Sequence, residues 1–154
     1  MIADWNIGHA FMHPWFWSSF LGWTIAQCIK MTTNAVKNKT LDIEYLVSTG
    51  GMPSAHSAMA TGLAASIGLT EGFGTPLAML AMGWAAITIF DAATVRRAAG
   101  EQAKIINRII RELKETLRFN PVHLKELLGH TQMEVLAGFL TGLATAVVVC
   151  ALWK

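Results

Sequence analysis

Residues 50–57, GGMPSAHS, carry a histidine directly before an apolar stretch. Glycine permits a close backbone approach to a ligand, and the N–H groups of a helix start attract anions such as phosphate. The backbone at Gly51 could approach such an anion, and His56 could donate a proton to a leaving oxygen. Taken alone, the segment is explained better by an ordinary capped helix start with a satisfied histidine.

His130 and Glu134 are four residues apart at the start of the last apolar stretch. This spacing predicts that they share one face of a helix. A carboxylate there accepts the imidazole N–H, fixes the tautomer and makes the other ring nitrogen a better nucleophile. An ordinary surface pair at a helix start, where glutamate also suits the helix dipole, explains the spacing equally well.

Four further charged residues lie within apolar stretches or at their ends. Asp91 lies within one of them, where an ionisable group is costly and usually has a partner. Arg96 or Arg97, just beyond it, could clamp phosphate oxygens through two hydrogen bonds, or both could simply anchor the end of the stretch. Lys30 closes an earlier stretch and is a further candidate phosphate ligand.

The composition of the 154 residues favours a small membrane protein over a soluble one. Apolar residues make up 53% and charged residues only 14%, roughly half the ~25% of soluble domains. This balance excludes a disordered chain, a collagen-like chain and a soluble nucleic-acid binder. A soluble helical protein is disfavoured for the same reason, and the length predicts one domain over residues 1–154.

Four apolar stretches predict membrane spans at about residues 10–29, 54–69, 75–95 and 133–153. A span needs ~20 apolar residues, so the short second stretch, rich in small residues, is expected to pack inside the protein. Residues 96–118 predict an amphipathic helix on the membrane surface or beneath the bundle, ended by Asn120-Pro121. The predicted fold is an all-α integral membrane bundle of about four spans plus this helix.

The basic residues predict the orientation of these spans. With four spans, 11 of the 12 Lys and Arg residues fall on one side and only Lys154 on the other. The positive-inside rule makes the crowded side cytoplasmic. Because the histidine segments and the candidate cations meet on that side, we expect a phosphate site on the cytoplasmic face of a multi-pass cell-membrane protein.

Three sequence blocks together resemble a known family. The segment GGMPSAHSAMATGLAASIG resembles the signature of the type 2 phosphatidic acid phosphatase and vanadium haloperoxidase superfamily. In combination with DAATVRRAAGEQAKIIN and LKELLGHTQMEVLAGFLTG, it is similar to the divergent bacterial and plastid branch of that superfamily. The resemblance covers about residues 22–143, in the same block order.

The resemblance implies a role for each matching residue. His130 would be the nucleophile, Glu134 would orient it, and His56 would protonate the leaving group. Lys30 and Ser54 would bind phosphate, with Gly51 at the backbone. Leu124 stands where the superfamily carries an arginine, so Arg96 or Arg97 is inferred to replace it. Asp91 is a supporting residue in this interpretation.

The implied function is a membrane phosphatase acting on a lipid phosphate or prenyl (pyro)phosphate through a phosphohistidine. The resemblance implies no cofactor and no metal, and no nucleic-acid partner. The alternative is a non-catalytic membrane protein that binds phosphorylated lipids with the same pocket. Residues 138–142, GFLTG, are compatible with a homodimer contact, although packing within one chain is the favoured interpretation.

Overall fold

The computed structural model describes residues 7–39, 51–116 and 130–153, and every element in them is helical. A short 3₁₀ helix, Ile7–Met12, precedes five α-helices. These are α1 (Pro14–Asn38), α2 (Ala55–Glu71), α3 (Pro76–Ala93), α4 (Val95–Thr116) and α5 (Gln132–Leu152). The predicted all-α fold is confirmed.

Local chemistry explains where α2 and α3 begin and end. Ser54 and Thr75 are their N-caps, and each side chain accepts a backbone N–H of the first turn, which satisfies one otherwise unpaired donor. Pro76 occupies the first turn of α3, where its missing N–H costs nothing. Gly72 ends α2 at φ 94°, and its N–H bonds the carbonyl of Gly68.

Helix α2 is the centre of the bundle and packs against α1, α3 and α5. Most of its residues are small and buried, as predicted for the short second stretch. A Cβ at Gly62 would stand 2.5 Å from the carbonyl oxygen of Ser18 in α1. A Cβ at Gly142 in α5 would overlap the carbonyl of Ala58. Residues 138–142 therefore pack against α2 of the same chain, as favoured from the sequence.

The observed helices follow the predicted stretches closely except for α1, which begins at Pro14 instead of about residue 10. Helix α1 continues to Asn38, whereas the predicted stretch ended at Ile29. Lys30 therefore lies inside a helix and not at its end, because loss of hydrophobicity does not stop a helix when the following residues are compatible with one. The predicted stop at Asn120-Pro121 lies outside the described residues.

Two segments of the described chain are long and apolar enough to cross a bilayer. One lies within Pro76–Leu113, which contains α3, and the other is α5. Helices α1 and α2 are not in this class, so the four-span topology stays a prediction. Helix α4 matches the predicted amphipathic helix, and among the described helices it contacts only α3.

Candidate functional site

The starts of α2 and α5 and the end of α3 are joined by backbone hydrogen bonds. The N–H of Ser54 donates to the carbonyl oxygen of Glu134 over 2.9 Å, and the N–H of His130 donates to the carbonyl oxygen of Ala92 over 3.2 Å. Gly138 packs against Ser54 at the first of these contacts, because a Cβ added to Gly138 would overlap the carbonyl of Ser54. Three helix ends are thus fixed around one location.

His130 and Glu134 form the central pair of this location. His130 is only 2% exposed, and its Nδ1 lies 3.1 Å from Glu134 Oε2. An ionised carboxylate only accepts hydrogen bonds, so Nδ1 must be the donor and Nε2 becomes the unprotonated nitrogen of the neutral ring. This arrangement favours nucleophilic attack by Nε2.

The contact is made differently from the prediction. His130 precedes Thr131, the N-cap of α5, so the two residues do not share a helix face and that prediction was wrong. Glu134 instead reaches back as part of a capping box, in which its Oε2 also accepts the Thr131 N–H over 3.0 Å. The capping box fixes the carboxylate that the imidazole contacts.

Thr131 is a site residue that the sequence interpretation missed. Its hydroxyl oxygen accepts the backbone N–H of Glu134 over 3.3 Å, and its own backbone N–H donates to the Glu134 carboxylate. The Thr-x-x-Glu spacing before an apolar run is a recognisable signature of a helix start, so the sequence did contain this signal.

Lys30 enters the same location from α1. It is 3% exposed, and its side-chain carbons pack against Gly51, where an added Cβ would be 3.2 Å from Lys30 Cγ. Lys30 lies beyond the predicted apolar stretch of α1. Burial lowers the pKa of its ammonium group below the usual range, and the negative charge of Glu134 opposes this. The two charges are therefore close enough to interact.

Ser54 is fully buried and its hydroxyl oxygen has two partners. It accepts the N–H of Ser57 over 3.4 Å and the hydroxyl of Ser57 over 3.0 Å. Both interactions use the oxygen as an acceptor, so the Ser54 O–H is still able to donate to an anion. Ser57 was not predicted as a site residue, although its position three residues after an N-cap makes it the natural partner.

The other predicted residues lie at the start of α2, at the end of α3 and in α4. His56 is exposed at the second position of α2, two residues after Ser54. Asp91 is half-buried in the last turn of α3, adjacent to the carbonyl that binds His130. Arg97 is exposed, and its charge acts on Glu101 of its own helix. Arg96 lies in α4, but its side chain is outside the described residues.

The charged surface of α4 includes interactions between oppositely charged side chains. Lys104 and Glu101 form an ion pair of 2.9 Å at a spacing of three residues. That hydrogen bond lowers the pKa of the Glu101 carboxyl, with smaller contributions from the charges of Lys104 and Arg97. Within the described residues, no group of three or more His, Cys, Asp or Glu side chains is placed to hold a metal ion.

The fold and this location together define a small helical membrane protein with a polar site where helix ends meet. A family profile described as the Divergent PAP2 family matches residues 11–145, and the chain belongs to that family. It is also 39% identical over 142 residues to an uncharacterized membrane protein, YuiD, of Bacillus subtilis (strain 168), which covers 85% of this chain and 90% of the relative. No solved structure matches the chain.

Proposed function

We propose that the protein is a membrane phosphatase that hydrolyses a lipid phosphate or a prenyl (pyro)phosphate through a phosphohistidine. The observation that carries the proposal is the buried His130 held by Glu134, with Lys30 alongside. A buried imidazole oriented by a carboxylate is suited to nucleophilic catalysis, and a nearby cation is suited to phosphate oxygens.

The proposed reaction has two steps. In the first, His130 Nε2 attacks phosphorus, the bond from phosphorus to the leaving oxygen breaks, and His56 gives that oxygen a proton. In the second, water attacks phosphorus and gives a proton to His56 while the bond to Nε2 breaks. Inorganic phosphate leaves and both histidines return to their starting states.

Lys30, the Ser54 hydroxyl and the first-turn N–H groups of α2 are proposed to hold the phosphate oxygens. Their positions support this role, since Lys30 packs on Gly51 and Ser54 caps α2. Charge that develops on the oxygens in the transition state is stabilised by such fixed donors. Arg96 or Arg97 is proposed as a further cation, and Asp91 as a support for the end of α3.

An apolar groove supports a lipid substrate. It has a volume of about 300 Å³ and lies between α2, α3 and α5. Its lining includes Thr61 of α2, Ile89 of α3 and Phe139 of α5. Along the chain, Thr61 follows Ser54, Ile89 precedes Ala92, and Phe139 follows Glu134. At 1.5 Å per residue these positions are about 5 to 11 Å from the site along the helix axes. A hydrocarbon chain attached to the phosphate would enter this groove.

We further propose that the site faces the cytoplasm. The basis is the distribution of the basic residues, 11 of 12 of which fall on one side of the predicted four-span topology. The site lies at the same side, because it is built from the ends of α2, α3 and α5 that connect to the basic segments.

The test is phosphate release from lipid phosphates and prenyl pyrophosphates by the purified protein in detergent. We expect His130→Ala to lower the rate by about 10³-fold or more and Glu134→Gln by about 10²-fold, since the glutamine no longer fixes the tautomer. The matched control is His13→Ala, because His13 is an exposed histidine that stacks on Trp15 near the start of α1. Full activity in His130→Ala would contradict the proposal.

A non-catalytic role is the second candidate, and one observation favours it. Of the two candidate arginines, Arg97 is exposed and its charge acts on Glu101, so Arg97 does not supply the arginine contact that phosphoryl transfer often uses. This candidate predicts saturable binding of phosphorylated lipids without phosphate release from any of them. Trapping of a phosphorylated protein at alkaline pH, where phosphohistidine is stable, would exclude it.

A further inference from the structure

Helix α4 carries an exposed apolar stripe. Val95, Ile106, Ile109 and Leu113 are between 43 and 60% exposed. Their spacing of eleven, three and four residues places them on one face of the helix. We call these four residues the α4 stripe. Four large apolar side chains in a row on one face call for a covering surface, because such a stripe is unfavourable in water.

The covered face of α4 is a different one. Gly100, Ala103 and Asn107 are buried, and at 100° per residue their face is rotated by roughly 100° from the α4 stripe. Among the described helices, α4 contacts only α3. The α4 stripe is therefore a second surface, separate from the one that the fold already buries.

The side of α4 opposite the stripe is cationic. Arg97, Lys104, Arg108 and Arg111 are exposed there, and the whole helix contains six basic and three acidic residues. The apolar stems of Lys and Arg allow their charged ends to reach back towards a surface on which the helix lies. An apolar stripe with cations on the polar face is the pattern of helices that lie in a lipid interface.

The position of α4 in the chain places it at such an interface. Only Thr94 separates α4 from α3, which lies in one of the two candidate spans. The last turns of α3 expose Ile87 and Phe90, and Val95 continues this apolar surface. A helix that starts where a span ends begins at the depth of the lipid headgroups.

We infer that α4 lies on the membrane surface and binds anionic phospholipids, with the α4 stripe at the acyl boundary and the cations at the headgroups. Charge complementarity favours this occupant over a second copy of the chain. The basic residues of α4 outnumber its acidic residues six to three, and a second copy of α4 would bring the same excess of positive charge, whereas an anionic leaflet neutralises it. The inference is independent of phosphatase activity.

The test uses the full-length protein in nanodiscs, with Cys28 and Cys150 replaced by alanine. An environment-sensitive fluorophore is attached at Ile109→Cys in the α4 stripe and, as a matched control, at Lys104→Cys on the opposite side. We expect quenching of the Ile109 label by acrylamide, an uncharged aqueous quencher that an anionic surface does not repel, to be about threefold weaker in discs containing phosphatidylglycerol than in phosphatidylcholine discs. The Lys104 label should be quenched alike in both.

Charge variants test whether the cations of α4 cause the weaker quenching of the Ile109 label in phosphatidylglycerol discs. Arg108→Gln with Arg111→Gln should remove the difference between the two lipid compositions, while the corresponding lysine variants should keep it. High salt should weaken it as well. Equal quenching of the Ile109 label in both lipids would overturn the inference. So would protection that disappears when each disc holds one copy, since a second chain would then be the cover.

Discussion

Helices α2 and α3 are neighbours of nearly equal length, but they are built and placed in opposite ways. Helix α2 has 17 residues, mostly small, and most of them are buried. Helix α3 has 18 residues, and many of its large apolar side chains are exposed. The less hydrophobic helix is the central one, and the more hydrophobic helix is peripheral.

This inversion is what a lipid environment favours. In water the large side chains of α3 would be buried, because removing apolar surface from water drives folding. In lipid an exposed leucine costs nothing, and helices associate through close packing of small residues instead. Gly62 and Gly142 provide this packing, since each lies directly against a backbone carbonyl of a neighbouring helix. The close packing of small residues in α2 and the exposure of large apolar residues on α3 therefore agree with the membrane class of the protein.

The largest expected difference in stability comes from adding one methyl group either to a surface that packs against α2 or to the exposed surface of α3. In Gly142→Ala the new Cβ would overlap the Ala58 carbonyl and lie 2.9 Å from the Gly62 nitrogen. We expect a loss of about 3 kcal/mol in the free energy of unfolding, because backbone atoms on two helices must move apart. The measurement is the unfolding midpoint of the purified protein in detergent.

The matched control is Gly83→Ala on α3. An added Cβ there meets no heavy atom within 4 Å in the part of the chain that the structure describes. We expect this variant to be as stable as the original or up to about 1 kcal/mol more stable, because alanine is the better helix former. If both variants lost the same free energy of unfolding, this would contradict the description of α2 as the central, closely packed helix.

The next variant uses the groove between the two helices and depends on the proposed function. Ala86 of α3 is exposed and lines the groove, so Ala86→Trp should fill it without disturbing the buried core. We expect kcat/KM for a long-chain lipid phosphate to fall about tenfold, as hydrophobic pockets discriminate by roughly that factor. Turnover of a short, soluble phosphate ester should not change.

Leu80→Trp is the control for that variant, since Leu80 is an exposed α3 residue outside the groove lining. It should leave both substrates unaffected. An unchanged long-chain rate in Ala86→Trp would show that the chain lies elsewhere, even if the phosphatase activity itself is confirmed.

The variants with the smallest expected effect distinguish the backbone strain of alanine at a positive φ from the disturbance of a contact with Lys30. Gly51 and Gly72 have φ values of 96° and 94°, so alanine at either position should cost about 1 kcal/mol in unfolding free energy. Only Gly51 touches Lys30, while nothing lies within 4 Å of a Cβ at Gly72 among the described residues. We expect Gly51→Ala alone to raise KM for the phosphorylated lipid, by about threefold. A KM increase in Gly72→Ala would argue against a specific role of the Lys30 contact.

The helices themselves could be predicted well from the sequence. Apolar stretches with proline or cap residues at their starts gave the bounds of α2, α3 and α5 to within one or two residues. The end of α1 could not be predicted, because Lys30 and the residues after it are polar without being helix breakers. Hydropathy indicates which residues can contact lipid, whereas helix propensity indicates which residues can be part of a helix.

The site could be predicted only in part. His130, Glu134 and Ser54 could be proposed as candidates from their residue types, because few other side chains can carry out nucleophilic attack or bind phosphate. Their geometry could not be read from spacing alone, since the contact between His130 and Glu134 runs through a capping box and not along a helix face. The burial of Lys30 depends on the packing of α1 against Gly51, a contact between residues distant in the chain.

Glu134 also sets the order in which the site can assemble. Its carboxylate holds His130, and its own carbonyl oxygen receives the N–H of Ser54. Lys30, Gly51 and Ser54 are all synthesised earlier than α5. Lys30 and Ser54 can therefore interact with Glu134 only after α5, the last described helix, has packed against the others. A partly inserted chain therefore has no oriented imidazole, and the same hydrogen bonds that complete the bundle also complete the site.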